Sequence, residues 1–240
     1  MCMVEKNKRL SHMNNLTVSK SNKLNEASYR LTLQEQRLIL ACIAPLDSRN
    51  NLPKKEVTIT ASEYAEYFQL DMKNAYRELY KAADGLYNRS IKLKGVDEDI
   101  ELRWVQKKVL KTKGEGTVTL LFSDEIINYI AGLKSHFTSY KMRHVAELKS
   151  VYSIRLYELL IQFKKTGERT IHIEELRELL GVDDKYSQFR DFNKWIIKPA
   201  IAELNTKSDL TIQLETVKKG RKIHAITFNF TLNDQMKMDI

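Results

Sequence analysis

The sequence predicts an α+β fold built from two copies of one unit, and three observations lead there. The chain has 240 residues, beyond the roughly 100–150 usual for a single domain, so one large or two compact domains are the starting options. Apolar residues make up 42% and aromatic residues 9%, enough to fill real cores. The chain also repeats itself: an apolar helical stretch, a β-prone run opening a short helix, a turn, a longer helix and a hairpin with a basic turn occur in that order twice. This order is that of a winged helix-turn-helix. The predicted architecture is therefore two tandem winged helix-turn-helix domains related by an internal repeat.

The first helix of each copy is apolar at helical spacing, over residues 31–43 and 151–163, with Arg37-Leu38 matching Arg155-Leu156. Next come residues 57–70 and 170–182, where Thr58-Ile59 answers Thr170-Ile171 and Leu70 answers Val182. The longer helices span 72–88 and 189–205. Lys73, Arg77, Lys81 and Asn88 precede Arg190, Lys194, Lys198 and Asn205 by one constant offset. At about 100° per residue each set falls in one exposed quadrant. Met72, Ala75, Tyr76, Leu79, Ala83 and Leu86 form the buried side of the first, and Phe192, Ile196, Ala200 and Leu204 that of the second. Pro199 lies inside the second helix, where a missing N–H and a ring clash predict a kink.

Strands close each copy. Residues 90–93 start the first sheet, and 102–109 pairs with 118–122 around a turn at 111–116 whose glycines suit positive φ. In the second copy 210–217 pairs with 223–230 around Lys218-Lys219-Gly220-Arg221-Lys222. A short helix follows Ser123-Asp124-Glu125, and the domain boundary is expected within 132–137. The expected organisation is a mobile arm at 1–20, an N-terminal domain at 21–135, a C-terminal domain at 136–232 and a tail at 233–240. Trp195, Tyr186, Tyr80 and Tyr87 are expected to be core or packing residues rather than base-stacking platforms.

Composition narrows the partners. Forty Lys and Arg against 31 Asp and Glu leave a formal charge of +9, shared almost evenly between the two halves, which favours a polyanion. Two cysteines, Cys2 and Cys42, make neither a disulfide framework nor a zinc finger, and a reducing cytoplasm fits. The polar start carries no signal peptide, and nowhere do eighteen apolar residues run together, so no membrane partner is expected. Neither GxxxxGK[ST] nor GxGxxG occurs, and no cofactor is implied.

A basic helix beside a basic hairpin suits duplex DNA, which needs cations at phosphates and a few hydrogen-bonding side chains at base edges. Arg190 and Asn193 stand where base readers would, since Arg suits guanine and Asn suits adenine. Lys194, Lys198, Lys218, Lys219, Arg221 and Lys222 are the expected phosphate contacts of that copy. In the first copy Lys73, Asn74 and Arg77 take the reading role, with Lys81, Lys107, Lys108, Lys111 and Lys113 on the backbone. Any one such patch is often only a solvated face, and its recurrence in both copies is what favours DNA.

Catalysis has little support. Histidines at 12, 136, 144, 172 and 224 include no His-apolar-His pair of the kind a metal-dependent nicking enzyme needs, and His172 and His224 read as structural strand residues. Asp97-Glu98-Asp99 has no acidic partner cluster to complete a metal site.

Three segments, residues 21–45, 150–163 and 186–209, resemble the iteron-binding, theta-type plasmid replication initiators, which are built from two winged-helix domains. The resemblance covers roughly residues 20–232. It implies a protein that binds origin direct repeats as a monomer and an inverted operator as a dimer that represses its own gene. It further implies recruitment of the host initiator and replicative helicase, so that the chain needs no active site. It makes the C-terminal domain the stronger reader and gives the N-terminal domain both DNA contact and the dimer interface. A winged-helix transcriptional repressor without initiator activity is the alternative, because it would share the same DNA-reading surface.

Overall fold

A computed structural model describes residues 15–50, 55–94 and 97–233. Residues 1–14 of the expected arm, with Cys2 and His12, and residues 234–240 of the expected tail lie outside them. The chain divides into two compact units, residues 1–27 with 31–147, and residues 28–30 with 148–240.

In the first unit β1 (Thr17–Ser21) pairs antiparallel with β7 (Phe137–Lys141). This corrects two expectations. Residues 17–20 belong to a strand rather than to a mobile arm, and the unit runs past residue 135 to Glu147 because β7 is held by the strand that opens it. A one-turn helix α1 (Asn22–Asn25) follows, then α2 (Leu33–Ile43), whose start is a reciprocal cap. The Thr32 hydroxyl accepts from the Glu35 amide, and the Glu35 carboxylate accepts from the Thr32 amide at 2.7 Å. Every residue of α2 from Glu35 to Ile43 is buried, which makes it the central helix of the unit. Cys42 is fully buried there, and burial pushes its thiol pKa well up.

The helix-turn-helix comes next. Strand β2 (Glu56–Thr60) runs into α3 (Ala61–Phe68), again capped reciprocally, by Thr60 and Glu63. Gln69 stops α3 by taking φ 53°, and Asp71 opens α4 (Met72–Leu86) by accepting from the Asn74 amide at 2.9 Å. Helix α4 buries Ala75, Leu79, Ala83 and Leu86 as its periodicity predicts, and Ala82 besides, while Tyr76 of the predicted face is only half-buried. Met72 departs from the prediction: at the first turn it overhangs the core and is exposed.

The strands after α4 also differ from expectation. β3 (Ser90–Lys94) pairs with β4 (Asp99–Arg103) as a separate hairpin. The chain then breaks at the fully buried Trp104 and restarts as β5 (Val105–Lys111), which pairs with β6 (Thr117–Phe122). The run 102–109 is thus two strands in two sheets, because Trp104 turns inward between them, its amide donating to the Arg89 carbonyl and its carbonyl accepting from Ser123. β2 lies against β6, so the wing sheet has the order β2-β6-β5. Two short helices, α5 (Asp124–Ile130) and α6 (Arg143–Ala146), complete the unit.

The second unit repeats the plan. Helix α7 (Val151–Ile161) is buried through most of its length, β8 (Glu168–His172) leads into α8 (Ile173–Leu179), and a turn leads to the long helix. The long hairpin β9 (Leu210–Lys219) and β10 (Lys222–Leu232) closes the sheet in the order β8-β10-β9, which matches β2-β6-β5 strand for strand. The two arginines that align between copies have the same fate. Arg37 lies 5.0 Å over the Phe68 ring and 3.8 Å from Glu78, and Arg155 lies 4.0 Å over Tyr29 and 3.2 Å from Glu158. Each is a buried cation stacked on an aromatic face and paired with a carboxylate.

The long helix is interrupted. It comprises α9 (Phe189–Phe192), a π turn over Asn193–Ile197 and α10 (Lys198–Lys207). Pro199 is the cause: it has no N–H for the Trp195 carbonyl and its ring crowds that turn, so the helix widens ahead of it and the Lys198 amide bonds five residues back to Asn193. The kink expected from Pro199 takes the form of this one-residue insertion. No helix among the described residues is long and apolar enough to cross a membrane.

Candidate nucleic-acid interface

The second unit presents its cations on two adjoining structures. Phe192, Ile196, Ile197, Ala200 and Leu204 anchor the long helix, leaving Arg190, Lys194 and Lys198 exposed. Arg190 keeps 82% of its side chain in solvent, with the Asp191 carboxylate beside it at 3.4 Å. Asn193 is half-buried beside them, and its Oδ1 is buried without a hydrogen-bond partner among the described residues, so that oxygen must turn outward before it can meet a base edge. It borders two shallow grooves. One is lined by Phe189, Arg190, Asn193, Lys194 and Lys198, and the other runs toward the wing past Ile201, Asn205 and Leu214.

The wing is fixed to this helix by a side chain. Asn205 donates to the Ile212 carbonyl at 3.1 Å and accepts from the Ile212 amide at 2.7 Å, so it holds β9 as an extra strand would. That bond consumes Asn205, whose repeat counterpart Asn88 instead donates to the Asp84 carbonyl. At the far end of the hairpin Lys219 pairs with Lys222 around Gly220, at φ 63°, and Lys218, Lys219, Arg221 and Lys222 are all exposed. Four like charges at one tip repel one another in the free protein, and a polyanion relieves that repulsion.

The first unit has the same plan with fewer free cations. Lys73, Lys81, Lys111 and Lys113 are exposed. Asn74 is bound on both sides, donating to Asp71 and accepting from Arg77, so its Oδ1 is engaged, whereas the exposed Arg77 spends one guanidinium N–H on this bond and keeps others to donate. These bonds to Asn74, the backbone one first, hold the Asp71 carboxyl below the usual carboxylate range. Lys108 is paired with Asp84 and lies over the Tyr87 ring, while Lys107 is 3.8 Å from Glu56. Of the expected cluster Lys73, Lys81, Lys111 and Lys113 are therefore left exposed, and Lys107 and Lys108 are compensated.

The aromatic residues expected as core or packing residues lie outside the core, and Tyr80 and Tyr87 serve in packing, Tyr80 against Tyr76 and Tyr87 under Lys108. Trp195 is 57% exposed, Tyr87 is exposed, and Tyr80 and Tyr186 are half-buried. Tyr76 and Tyr80 form a stacked pair, with ring planes 13° apart, that reaches from α4 to the wing. Tyr76 donates to the Gly114 carbonyl at 3.1 Å and Tyr80 to the Lys111 carbonyl at 2.6 Å. Their placement one helical turn apart, opposite a glycine-bearing hairpin turn, was the available signal. His172 and His224 are both exposed, with ring centroids 4.5 Å apart. Among the described residues no group of three or more His, Cys, Asp or Glu could hold a metal.

Fold and site together define a tandem winged-helix protein with a cationic helix and hairpin in each unit. Residues 17–161 match the first winged-helix domain of the initiator replication proteins, and residues 172–230 match the second. The chain belongs to the plasmid replication initiator family. It is 32% identical over 236 residues to a replication initiation protein of Escherichia coli, covering 94% of this chain and 73% of that one. It is 28% identical over 250 residues to the PI protein of Escherichia coli, covering 89% and 82%. Its fold superposes with a TM-score of 0.81 and 25% identity on the Pi initiator protein solved in complex with iteron DNA, covering 92% and 99%. Domains 2 and 3 of RctB share the fold at 9% identity and a TM-score of 0.52, over 83% of this chain and 81% of that one.

Proposed function

We propose that this chain is a sequence-specific duplex-DNA-binding plasmid replication initiator. It binds direct repeats at its origin, promotes opening there, recruits the host initiator and replicative helicase, and represses its own gene as a dimer. The observation that carries the DNA-binding step is the pairing of an exposed cationic helix face, Arg190, Lys194 and Lys198, with a four-cation wing tip; among the described residues the carboxylate paired with that face is Asp191, beside Arg190. The relative solved with iteron DNA supports the same reading.

In this reading Arg190 and Asn193 approach base edges, while Lys194, Lys198, Lys218, Lys219, Arg221 and Lys222 neutralise phosphates. The first unit contributes Lys73, Lys81, Lys111 and Lys113 to a second stretch of backbone. The C-terminal unit is the main reader and the N-terminal unit carries the dimer contact.

Footprinting on the DNA flanking the gene tests this. Protection of tandem repeats about two helical turns apart, with contacts in successive major grooves, is the expected result. Purely non-specific binding at physiological salt overturns it. A replicon carrying only this gene and its upstream DNA then separates an initiator, which sustains it, from a repressor, which does not.

A further inference from the structure

Trp195 is the largest exposed apolar side chain on the cationic helix of the second unit, at 57% exposure, whereas Trp104, the other tryptophan, is fully buried. An indole left in water on a helix so well anchored needs a reason. At about 100° per residue Trp195 falls outside the buried line of Phe192, Ile196 and Ala200, and it sits within the π turn beside the exposed Lys194. The Lys194 ammonium lies 4.5 Å from the centre of its ring, so the free protein covers one face of the indole with a cation.

From this geometry we propose that Trp195 is a specificity-determining residue that makes the apolar contact of the DNA interface, to the C5-methyl group of a thymine in the major groove. The inference rests on the duplex-DNA reading above and deepens it. The occupant follows from charge and polarity. The cations on this face draw a polyanion to it, which disfavours a neutral apolar partner. Within a major groove the thymine methyl is the apolar group that projects from a base edge, while the polar edge atoms are hydrogen-bond donors or acceptors that an indole ring face cannot satisfy. When DNA arrives, a phosphate draws the Lys194 ammonium off the ring and the uncovered indole closes on the methyl. The helix then reads by two chemistries, hydrogen bonds from Arg190 and Asn193 and apolar contact from Trp195.

The test uses the full chain and a duplex selected by the wild-type protein from a randomised pool. Trp195→Ala is expected to weaken binding to that duplex about tenfold, the order of a single mismatched base pair, with non-specific affinity and salt dependence unchanged. Trp195→Phe is expected to retain most of the affinity. Replacing thymine by uracil, one position at a time, is expected to reproduce the loss at one position with wild-type protein and to add nothing with Trp195→Ala. Equal binding by Trp195→Ala and wild type, with an unchanged melting curve, overturns the proposal. A loss in Trp195→Ala that no uracil substitution reproduces also overturns it and moves the contact to deoxyribose. Should the wild-type chain select no sequence at all, the duplex-DNA reading fails first, and that result is distinct from either of the others.

Discussion

The ring of Tyr76 occupies the space where a side chain on Gly116 would stand: a Cβ built there meets Tyr76 Cε1 at 2.1 Å. Gly116 also holds φ 64°, and its carbonyl accepts from the Ala61 amide at the start of α3. One glycine thus lets the wing, the long helix of the first unit and the helix before it converge. Gly220 has the same backbone sign, φ 63°, with nothing within 4 Å of its Cβ position.

The two glycines should therefore respond differently to alanine. Gly220→Ala carries only the left-handed strain of roughly 1–2 kcal/mol. Gly116→Ala carries that strain plus displacement of the Tyr76 ring, for which overpacking costs of roughly 1–3 kcal/mol apply. Denaturant unfolding of both variants measures this, and equal destabilisation would show that Tyr76 yields freely. Hydrogen exchange in the β5-β6 turn should rise in Gly116→Ala, because the bonds from Tyr76 to Gly114 and from Tyr80 to Lys111 share that geometry.

The buried Arg155 of α7 tests whether the repeated arginine is structural. It donates to the Tyr29 hydroxyl at 2.5 Å, to Glu158 at 3.2 Å and to the Leu179 carbonyl at 3.1 Å, with Glu158 fully buried. Arg155→Ala strips a buried carboxylate of its cation and should cost about 3–5 kcal/mol. Arg155→Met combined with Glu158→Leu should recover much of that, since no charge is left unpaired. A double variant as unstable as the single one would mean that Tyr29 and Leu179, rather than the ion pair, set the cost.

How much of this was legible beforehand depends on the range of the cause. The buried faces of α4 and of the long helix after Gln188 follow from local periodicity, and the alignment of Arg37 with Arg155 follows from the repeat. Their partners do not: Phe68, Glu78 and Tyr29 reach the arginines only through the fold. The pairing of Thr17–Ser21 with Phe137–Lys141 leaves no local mark, so the first unit extends further than its composition suggests. The split of 102–109 at Trp104 and the π turn ahead of Pro199 each turn on one residue, a buried indole and a proline nearly three turns into a helix. Averaging over a window erases both. At the candidate interface the cations were legible as residue types, but the carboxylates that compensate Lys107 and Lys108 come from other elements.

Acid should loosen the start of α4 before the rest of the first unit. Asp71 caps that helix and its pKa is depressed below the ordinary aspartate value of about 4. A depressed folded pKa means that the ionised cap stabilises the fold at pH above the unfolded value, and that this contribution is lost as pH falls through the folded one. Amide exchange at Asn74, whose N–H bonds to Asp71, taken relative to its intrinsic rate at each pH, should therefore accelerate in wild-type protein only below about pH 4. Asp71→Asn keeps a capping oxygen without the titration and should show a flat profile. Acceleration of the same size in both proteins would assign the transition to some other carboxylate.

Arg190 and Lys219 differ in kind although both are exposed cations of the second unit. Arg190 stands on the helix beside Asn193, where its fork can meet a base pair, and Lys219 stands at the wing tip beside three further cations. Arg190→Ala should cost roughly 1–3 kcal/mol at one base position and relax preference there, measured on duplexes substituted singly along the site. Lys219→Ala should weaken binding evenly across those duplexes and make the slope of log affinity against log salt shallower by about one. The two measurements separate reader from positioner because a phosphate contact releases a counterion whatever the sequence, whereas a base contact pays only where its base is present. Matching profiles for the two variants would show that helix and wing meet DNA through the same chemistry, and would move the reading function to Asn193 and its neighbours.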